Sequence, residues 1–315
     1  MGYYPRSITY GPGNGFLYVT NSGSCQDEIK RGCGYLTVID GETNEIVANI
    51  TSGFSYPNSI AYDSSNGNLY VTNSADASVV IINGTTNSIV GSINTGCSTL
   101  GIVYDPSNGL LYASDQSYNY SAPPDCSFGS VSVINATSES SVANLTGGFL
   151  DPAGLAYDPN NGDVYVADAN CGHPAPCGNV SVINTTSNKV AEQIPLGFAP
   201  YYLMFDPQND YLYASGDSVG IAIIDCENNS LIGELDSGTI PAGMALDPTN
   251  GYIYVTNAPS DSVSIVNPVT DQMVSNVTVG SNPISAEFDY SNGDVYVVNH
   301  ASGTVSVLGQ VDLIR

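Results

Sequence analysis

Short segments in which apolar and polar residues alternate recur along the whole chain, separated by turn residues. The clearest begins with an aliphatic residue and a tyrosine and ends with a small or polar residue. This period-two alternation, with abundant Val, Thr, Ile and Tyr, predicts short β-strands. The segment occurs seven times, at Leu17–Asn21, Leu69–Asn73, Leu111–Asp115, Val164–Asp168, Leu212–Gly216, Ile253–Asn257 and Val295–Asn299.

Each copy is the second of four predicted strands, A to D. In the second repeat, strand A is Pro57–Tyr62, strand C is Val79–Asn83 and strand D is Ile89–Ile93. Strands A and B are joined by a tight turn containing Asp and Gly, in which the Asp is expected to accept a turn N–H. Four short strands about every 40 to 50 residues, seven times over, predict an all-β fold, a seven-bladed β-propeller with four antiparallel strands per blade.

The regular repetition favours one domain over residues 1–315, although the length alone would suggest two. The first and last repeats would meet where the ring closes. The predicted blades are approximately 5–52, 53–96, 97–147, 148–197, 198–238, 239–280 and 281–315.

Three sequence patterns carry a resemblance to a known family: the Tyr-Val-Thr-Asn strands, the lead-in Pro57-Asn-Ser-Ile-Ala-Tyr-Asp63, and Val-Ser-Val-Ile-Asn strands such as Val180–Asn184. Together they resemble the YVTN-repeat β-propellers, which occur in archaeal surface-layer proteins and in secreted bacterial proteins. The resemblance covers essentially the whole chain. It implies a propeller located outside the cell but no particular activity, because propellers serve both as enzymes and as binding modules.

The chain contains 30 acidic and only 5 basic residues, which gives a net charge of −25. This balance excludes a nucleic-acid binder, which needs a basic face, and a polybasic contact with anionic lipid. Charged residues amount to only 11%, because bases are scarce rather than acids abundant. Carboxylates protonate near pH 4, so little charge would remain in acid, and we expect an extracellular protein of an acidophile.

The sequence contains no apolar run of about 18 residues, so direct membrane insertion is not expected. Met1–Thr20 lacks the basic and apolar segments of a signal peptide.

Six of the seven cysteines lie in B–C or D–A loops, which emerge on the same face of a propeller. That topology permits three disulfides and favours an oxidising compartment. Cys226 follows strand C of blade 5 on the opposite face, so we predict a free thiol there. The predicted pairs are Cys25–Cys33, Cys97–Cys126 and Cys171–Cys177.

A zinc site is the alternative for Cys171, His173 and Cys177, but zinc would need a fourth ligand nearby. Glycosylation sequons are numerous, which favours an outside location weakly because Asn, Ser and Thr are abundant. The glycosylation candidates are Asn49, Asn83, Asn119, Asn135, Asn144, Asn228 and Asn276.

Carboxylates at the ends of the second strands could bind Ca²⁺ or polarise a substrate carbonyl, as in lactonase-like propellers. Their repetition in nearly every blade instead favours loop capping by side-chain hydrogen bonds. We therefore predict no catalytic residue, no metal ligand and no cofactor, with Ca²⁺ as the possible exception.

The asymmetric feature is a set of long insertions on one face, at 24–34, 116–128 and 169–178. Loops on a rigid scaffold commonly carry function, and tyrosine packs well on sugars and proteins. The predicted binding residues are Tyr118, Tyr120, Asp115, Asp168, His173, Asp217 and His300.

These observations predict an extracellular or cell-surface propeller that serves as a binding or structural module for a protein or glycan. One alternative is a metal-assisted hydrolase, lactonase-like, or a lyase that uses carboxylates at the channel mouth. A further alternative is a self-assembling envelope subunit.

Overall fold

In the computed structural model, the chain forms seven antiparallel sheets arranged in a ring, which confirms the predicted seven-bladed β-propeller. The structure describes residues 3–23, 34–95, 97–116, 129–169, 178–217, 220–238 and 240–309. Six sheets contain four strands each, and the described part of the seventh contains three.

The strands follow the chain from the inner to the outer edge of each blade. Blade 1 consists of β1 (Pro5–Gly11), β2 (Phe16–Asn21), β3 (Tyr35–Asp40) and β4 (Ile46–Ile50). Blade 2 consists of β5 (Pro57–Tyr62), β6 (Asn68–Asn73), β7 (Ser78–Asn83) and β8 (Ser88–Asn94). Blade 3 consists of β9 (Ser98–Asp105), β10 (Leu110–Gln116), β11 (Ser130–Asn135) and β12 (Ser140–Thr146). Blade 4 consists of β13 (Pro152–Tyr157), β14 (Asp163–Asp168), β15 (Asn179–Asn184) and β16 (Lys189–Pro195).

The remaining blades repeat this order. Blade 5 consists of β17 (Pro200–Asp206), β18 (Tyr211–Gly216), β19 (Gly220–Asp225) and β20 (Ser230–Asp236). Blade 6 consists of β21 (Pro241–Asp247), β22 (Tyr252–Asn257), β23 (Ser262–Asn267) and β24 (Gln272–Thr278). Blade 7 consists of β25 (Pro283–Phe288), β26 (Val295–Asn299) and β27 (Thr304–Leu308). Helical structure in the described residues is confined to single 3-10 turns at Ser74–Asp76 and Ala258–Ser260, and neither could cross a membrane.

The first strand of each blade lines the centre of the ring and contacts the first strands of both neighbouring blades. Within most blades the pairing of the first and second strands is interrupted just after the first residue, as between Pro5 and Ile8. A hydroxyl from the second strand fills this gap: the backbone N–H of Ser59 donates to Oγ1 of Thr72 at 2.8 Å. The Thr72 hydroxyl in turn donates to the carbonyl of Leu100 in the next blade at 2.8 Å.

The same interblade bond occurs at three further interfaces, whereas blades 4 and 7 have Ala167 and Val298 at this position and so lack the hydroxyl. The hydroxyl accepts an unpaired backbone N–H of the first strand in its own blade and donates to a carbonyl of the first strand in the next blade. It therefore holds two inner strands together although no β-ladder joins them. The interblade bonds are Thr20 to the Asn58 carbonyl (2.7 Å), Ser114 to the Ala153 carbonyl (2.6 Å) and Ser215 to the Ala242 carbonyl (2.6 Å).

The repeated tyrosine of the second strand links the blades at mid-depth. All seven of these tyrosines are buried, and their rings pack in apolar clusters between neighbouring blades. In four interfaces the hydroxyl contacts an asparagine in the C–D turn of the next blade. Those asparagines have φ between 50° and 60°, a left-handed conformation that asparagine tolerates better than most residues. The four pairs are Tyr18–Asn87 (3.0 Å), Tyr112–Asn188 (2.7 Å), Tyr165–Asn229 (2.9 Å) and Tyr296–Asn44 (2.6 Å).

The seam between blades 7 and 1 has the same tyrosine and asparagine contacts as the interface between blades 1 and 2, where Tyr18 and Asn14 donate to the Gly84 carbonyl. The Tyr296 hydroxyl donates to the Gly41 carbonyl at 3.1 Å, and the Asn292 amide donates to the same carbonyl at 2.7 Å. Nearer the centre, Oε1 of Glu287 accepts the backbone N–H of Tyr10 at 3.1 Å. Among the described residues, blades 7 and 1 share no strand, and hydrogen bonds and packing between the two sheets close the ring.

Aspartates at the A–B turns act as turn formers, as predicted. In each of six blades, Oδ1 accepts the backbone N–H two residues later at 2.8 Å, and this fixes the turn on the side opposite the B–C loops. These residues are Asp63, Asp105, Asp158, Asp206, Asp247 and Asp289.

We expect Tyr296→Phe to weaken the seam, because it removes the buried hydroxyl that lies within hydrogen-bond distance of the Gly41 carbonyl and of Asn44 Oδ1 across the seam. The loss should be about 1–2 kcal/mol in the free energy of unfolding, measured by denaturant titration. Tyr290→Phe is the matched control, since Tyr290 is 69% exposed. Equal stability of the two variants would contradict a role for the Tyr296 hydroxyl in ring closure.

Candidate functional site

One end of the propeller gathers the starts of the first strands and the ends of the second strands. The pairing shows this directly, because Pro5 lies opposite Asn21, and Pro152 lies opposite Asp168. We call this end the loop face; the B–C segments at 24–33, 117–128 and 170–177 connect strands that end or begin there. Those three segments lie outside the described residues.

A cavity of about 400 Å³ occupies the channel near the loop face. We call it the channel cavity; it is lined by two residues near the start of each of six inner strands, among them Arg6, Ser59, Tyr201, Tyr202 and Ile284. Its walls are mostly aliphatic and aromatic, with serine hydroxyls between them.

Glycine at the third position lets the inner strands approach one another. A Cβ on Gly154 would lie 2.6 Å from the Tyr201 carbonyl oxygen, and one on Gly243 would lie 2.6 Å from the carbonyl oxygen of Ile284. Larger residues there would push the blades apart, so these glycines set the width of the channel.

Arg6 brings a positive charge into the channel cavity. Its guanidinium lies over the Tyr56 ring, with Cζ 4.5 Å from the centroid, and Nη2 donates to the Tyr56 hydroxyl. Nε is buried without a hydrogen-bond partner in the structure. Sequence analysis did not single out Arg6, although its rarity as one of five bases and its place after Pro5 at the start of an inner strand were available signals.

Asp115 and Asp168 are buried at the ends of their strands, and their oxygens accept hydrogen bonds from nearby groups. Asp115 accepts from the hydroxyls of Ser132 (2.6 Å) and Thr99 (3.0 Å), and burial raises the pKa of Asp115 to about 7. Asp168 accepts the backbone N–H of Asp151 at 2.7 Å. Asp115 therefore joins β9 to β11 within blade 3, whereas Asp168 holds the loop that enters blade 4.

Asp217 has the same role in blade 5, where Oδ1 accepts the backbone N–H of Ala199 at 2.9 Å. Within the described residues, no three His, Cys, Asp or Glu side chains converge in a geometry that could hold a metal ion. The predicted carboxylates Asp115, Asp168 and Asp217 lie at the ends of the second strands of three different blades.

His300 lies at the seam between blades 7 and 1, half-buried. Its Nδ1 lies 2.9 Å from the carbonyl oxygen of Pro5, and its ring lies 5.3 Å from that of Tyr4. Burial lowers the pKa of His300, and the Arg6 charge adds to that effect. His300 therefore lies close to the channel, whereas Tyr118, Tyr120 and His173 lie outside the described residues.

Two cysteines lie in described segments. Cys226 is a buried free thiol, and burial raises its pKa to about 12. Cys97 is buried, and its predicted partner Cys126 lies outside the described residues. Cys25, Cys33, Cys171 and Cys177 also lie outside them, so the three pairings stay predictions.

The sequons differ in accessibility. Asn83 and Asn135 are half-buried, and their Oδ1 atoms accept two backbone N–H groups each in the C–D turns. Asn119 lies outside the described residues. The exposed candidates are Asn49, Asn144, Asn228 and Asn276.

Comparisons with known proteins agree on the architecture. The NHL repeat family matches residues 149–173, which include the first and second strands of blade 4. A solved structure of hydrazine synthase from Kuenenia stuttgartiensis superposes with a TM-score of 0.81 at 18% identity, covering 98% of this chain and 96% of that one. No curated protein matches the chain. The comparisons support a repeat protein of the β-propeller kind, and a likeness at this identity shows the fold alone.

We expect the protein to be more stable at pH 4.5 than at pH 7.5. Burial raises the pKa of Asp115 and of Glu287 to about 7, whereas both groups titrate near pH 4 in an unfolded chain. Between these values the folded state binds more protons, so stability falls as the pH rises, by a few kcal/mol at most. Chemical denaturation at the two pH values measures the difference.

Glu287→Gln should flatten this pH dependence, because glutamine stays neutral and keeps an oxygen for the Tyr10 N–H. Glu42→Gln, at an exposed turn position, is the control with the same charge change. Stability that rises from pH 4.5 to 7.5 would contradict the assignment, as would equal slopes for both variants.

Proposed function

We propose that the chain is a binding module of an extracellular or cell-surface protein, and that it contacts a protein or a glycan through the loop face. The observation that carries this proposal is that β2, β10 and β14 all end at this face, where the three longest B–C segments begin. Rigid strands that present long loops on one side are a common arrangement for recognition.

The comparisons are compatible with this role. NHL repeats form propellers that commonly mediate protein interactions, and the match includes the start of the B–C segment of blade 4. The described residues add no metal cluster that would favour the enzymatic alternative. A location outside the cell rests on the cysteine topology and on the exposed sequons.

The loop face can be tested by co-sedimentation with cell envelopes of the organism that encodes the chain. We expect the Tyr118→Ala, Tyr120→Ala double variant to lose at least tenfold in binding, because aromatic side chains often dominate the energy of an interface. Tyr290→Ala, at an A–B turn on the opposite side, is the aromatic control and should bind like the wild type. Retained binding by the double variant would argue against the loop face.

The same assay identifies the partner class. Periodate treatment of the envelopes destroys glycan diols, and protease treatment removes exposed protein. The treatment that abolishes binding therefore shows whether the partner is a glycan or a protein. Sedimentation velocity of the purified chain at rising concentration tests the remaining alternative, because assembly without envelopes would favour a self-assembling subunit.

The proposed location in an oxidising compartment can be tested separately through the state of the cysteines. Peptide mapping without reduction of protein purified from its source should recover Cys25–Cys33, Cys97–Cys126 and Cys171–Cys177. A thiol reagent should then label Cys226, and only after denaturation, since that side chain is buried. Labelling of all seven cysteines would contradict the extracellular proposal.

A further inference from the structure

The channel cavity contains a feature that binding at the loop face does not explain. A guanidinium has five N–H donors, and those of Arg6 are only partly used. Nη2 donates to the Tyr56 hydroxyl, and Nε is buried without a partner. An unpaired charged donor is unfavourable when it is buried. Because Arg6 also lines the cavity, an acceptor that enters there could pair with its remaining donors.

We propose that the channel cavity binds a small organic monocarboxylate, with the carboxylate on Arg6 and the rest of the molecule against Tyr201, Tyr202 and the aliphatic wall. This site is distinct from macromolecular recognition at the loop face.

The charge around the cavity favours an anion of this kind. The polar partner of Arg6 within the described residues is a tyrosine, so its positive charge is not neutralised there. The influence of that charge reaches across the cavity: burial raises the pKa of Tyr202, and Arg6 opposes this rise. In a protein with a net charge of −25, such a positive centre is a specific feature rather than part of a general basic surface.

The two contacts of Arg6 with Tyr56, over its ring and to its hydroxyl, hold the guanidinium in place. A planar guanidinium held in this way suits a carboxylate, which can accept two parallel N–H groups at once. A single guanidinium matches a single negative charge, and a polyphosphate would need further cations. The chemistry of Arg6 therefore favours a monocarboxylate.

The size and lining of the cavity define the rest of the ligand. A volume of about 400 Å³ is within the range of small-molecule sites and exceeds what an inorganic anion fills. Leu100, Ala153 and Ile284 supply aliphatic surface, and Tyr201 and Tyr202 supply aromatic surface. Both an aromatic acid and an acidic sugar fit this lining, because tyrosine packs against either.

Titration calorimetry with the purified full chain tests the proposal. The probes are 2-naphthoate and galacturonate, and their uncharged counterparts are 2-naphthamide and galactose. We expect at least one acid to bind saturably and its uncharged counterpart to bind at least tenfold more weakly. The acid that binds shows whether the uncharged part of the ligand is aromatic or a sugar. Arg6→Gln should lower the affinity for that acid at least tenfold.

Lys189→Gln is the matched control, because Lys189 is exposed on β16 and its loss changes the net charge equally. It should leave the affinity within twofold. The proposal is overturned if neither acid binds the wild type, if acid and counterpart bind equally, or if Arg6→Gln binds like the wild type. If Arg6→Gln fails to fold, the comparison of acid and counterpart on the wild type decides. Because the probes are small molecules, this outcome is independent of the envelope assay.

Discussion

The closed ring depends on hydrogen bonds that join inner strands which share no β-ladder. Thr72 shows how this works: its hydroxyl accepts the Ser59 N–H within its own blade and donates to the Leu100 carbonyl in the next. At four interfaces a blade is thereby fixed to its neighbour at the channel, and in every blade the buried tyrosine of the second strand packs between blades at mid-depth. Because buried backbone groups must be satisfied, the hydroxyl bonds limit how far these inner strands can separate.

The same arrangement creates the channel and its chemistry. The hydroxyl bridges use backbone groups near the start of the inner strands, and the side chains at those positions are left to line the cavity. Most of them are small or apolar. Arg6 is the one charged residue in this lining, so its guanidinium brings a positive charge into the cavity.

Burial also changes the role of the acidic residues. Asp115 and Glu287 lie inside the protein with hydrogen bonds to hydroxyl or backbone donors, and burial favours their neutral forms. A chain poor in bases offers few positive partners for such carboxylates, so protonation is the available way to reduce their desolvation cost. The acidic composition and the packing thus act in the same direction, towards stability at low pH.

The sequence by itself determined the seven blades, the strand order and the turn aspartates, because these follow from local periodicity and turn chemistry that repeat along the chain. It also placed Asp115, Asp168 and Asp217 at strand ends, where capping was one expectation and catalysis the other. Only the tertiary structure decided which groups these carboxylates bind and that Arg6 lies in the channel. The reason is that the channel cavity is lined by residues from six different blades, and their juxtaposition depends on ring closure rather than on any local pattern.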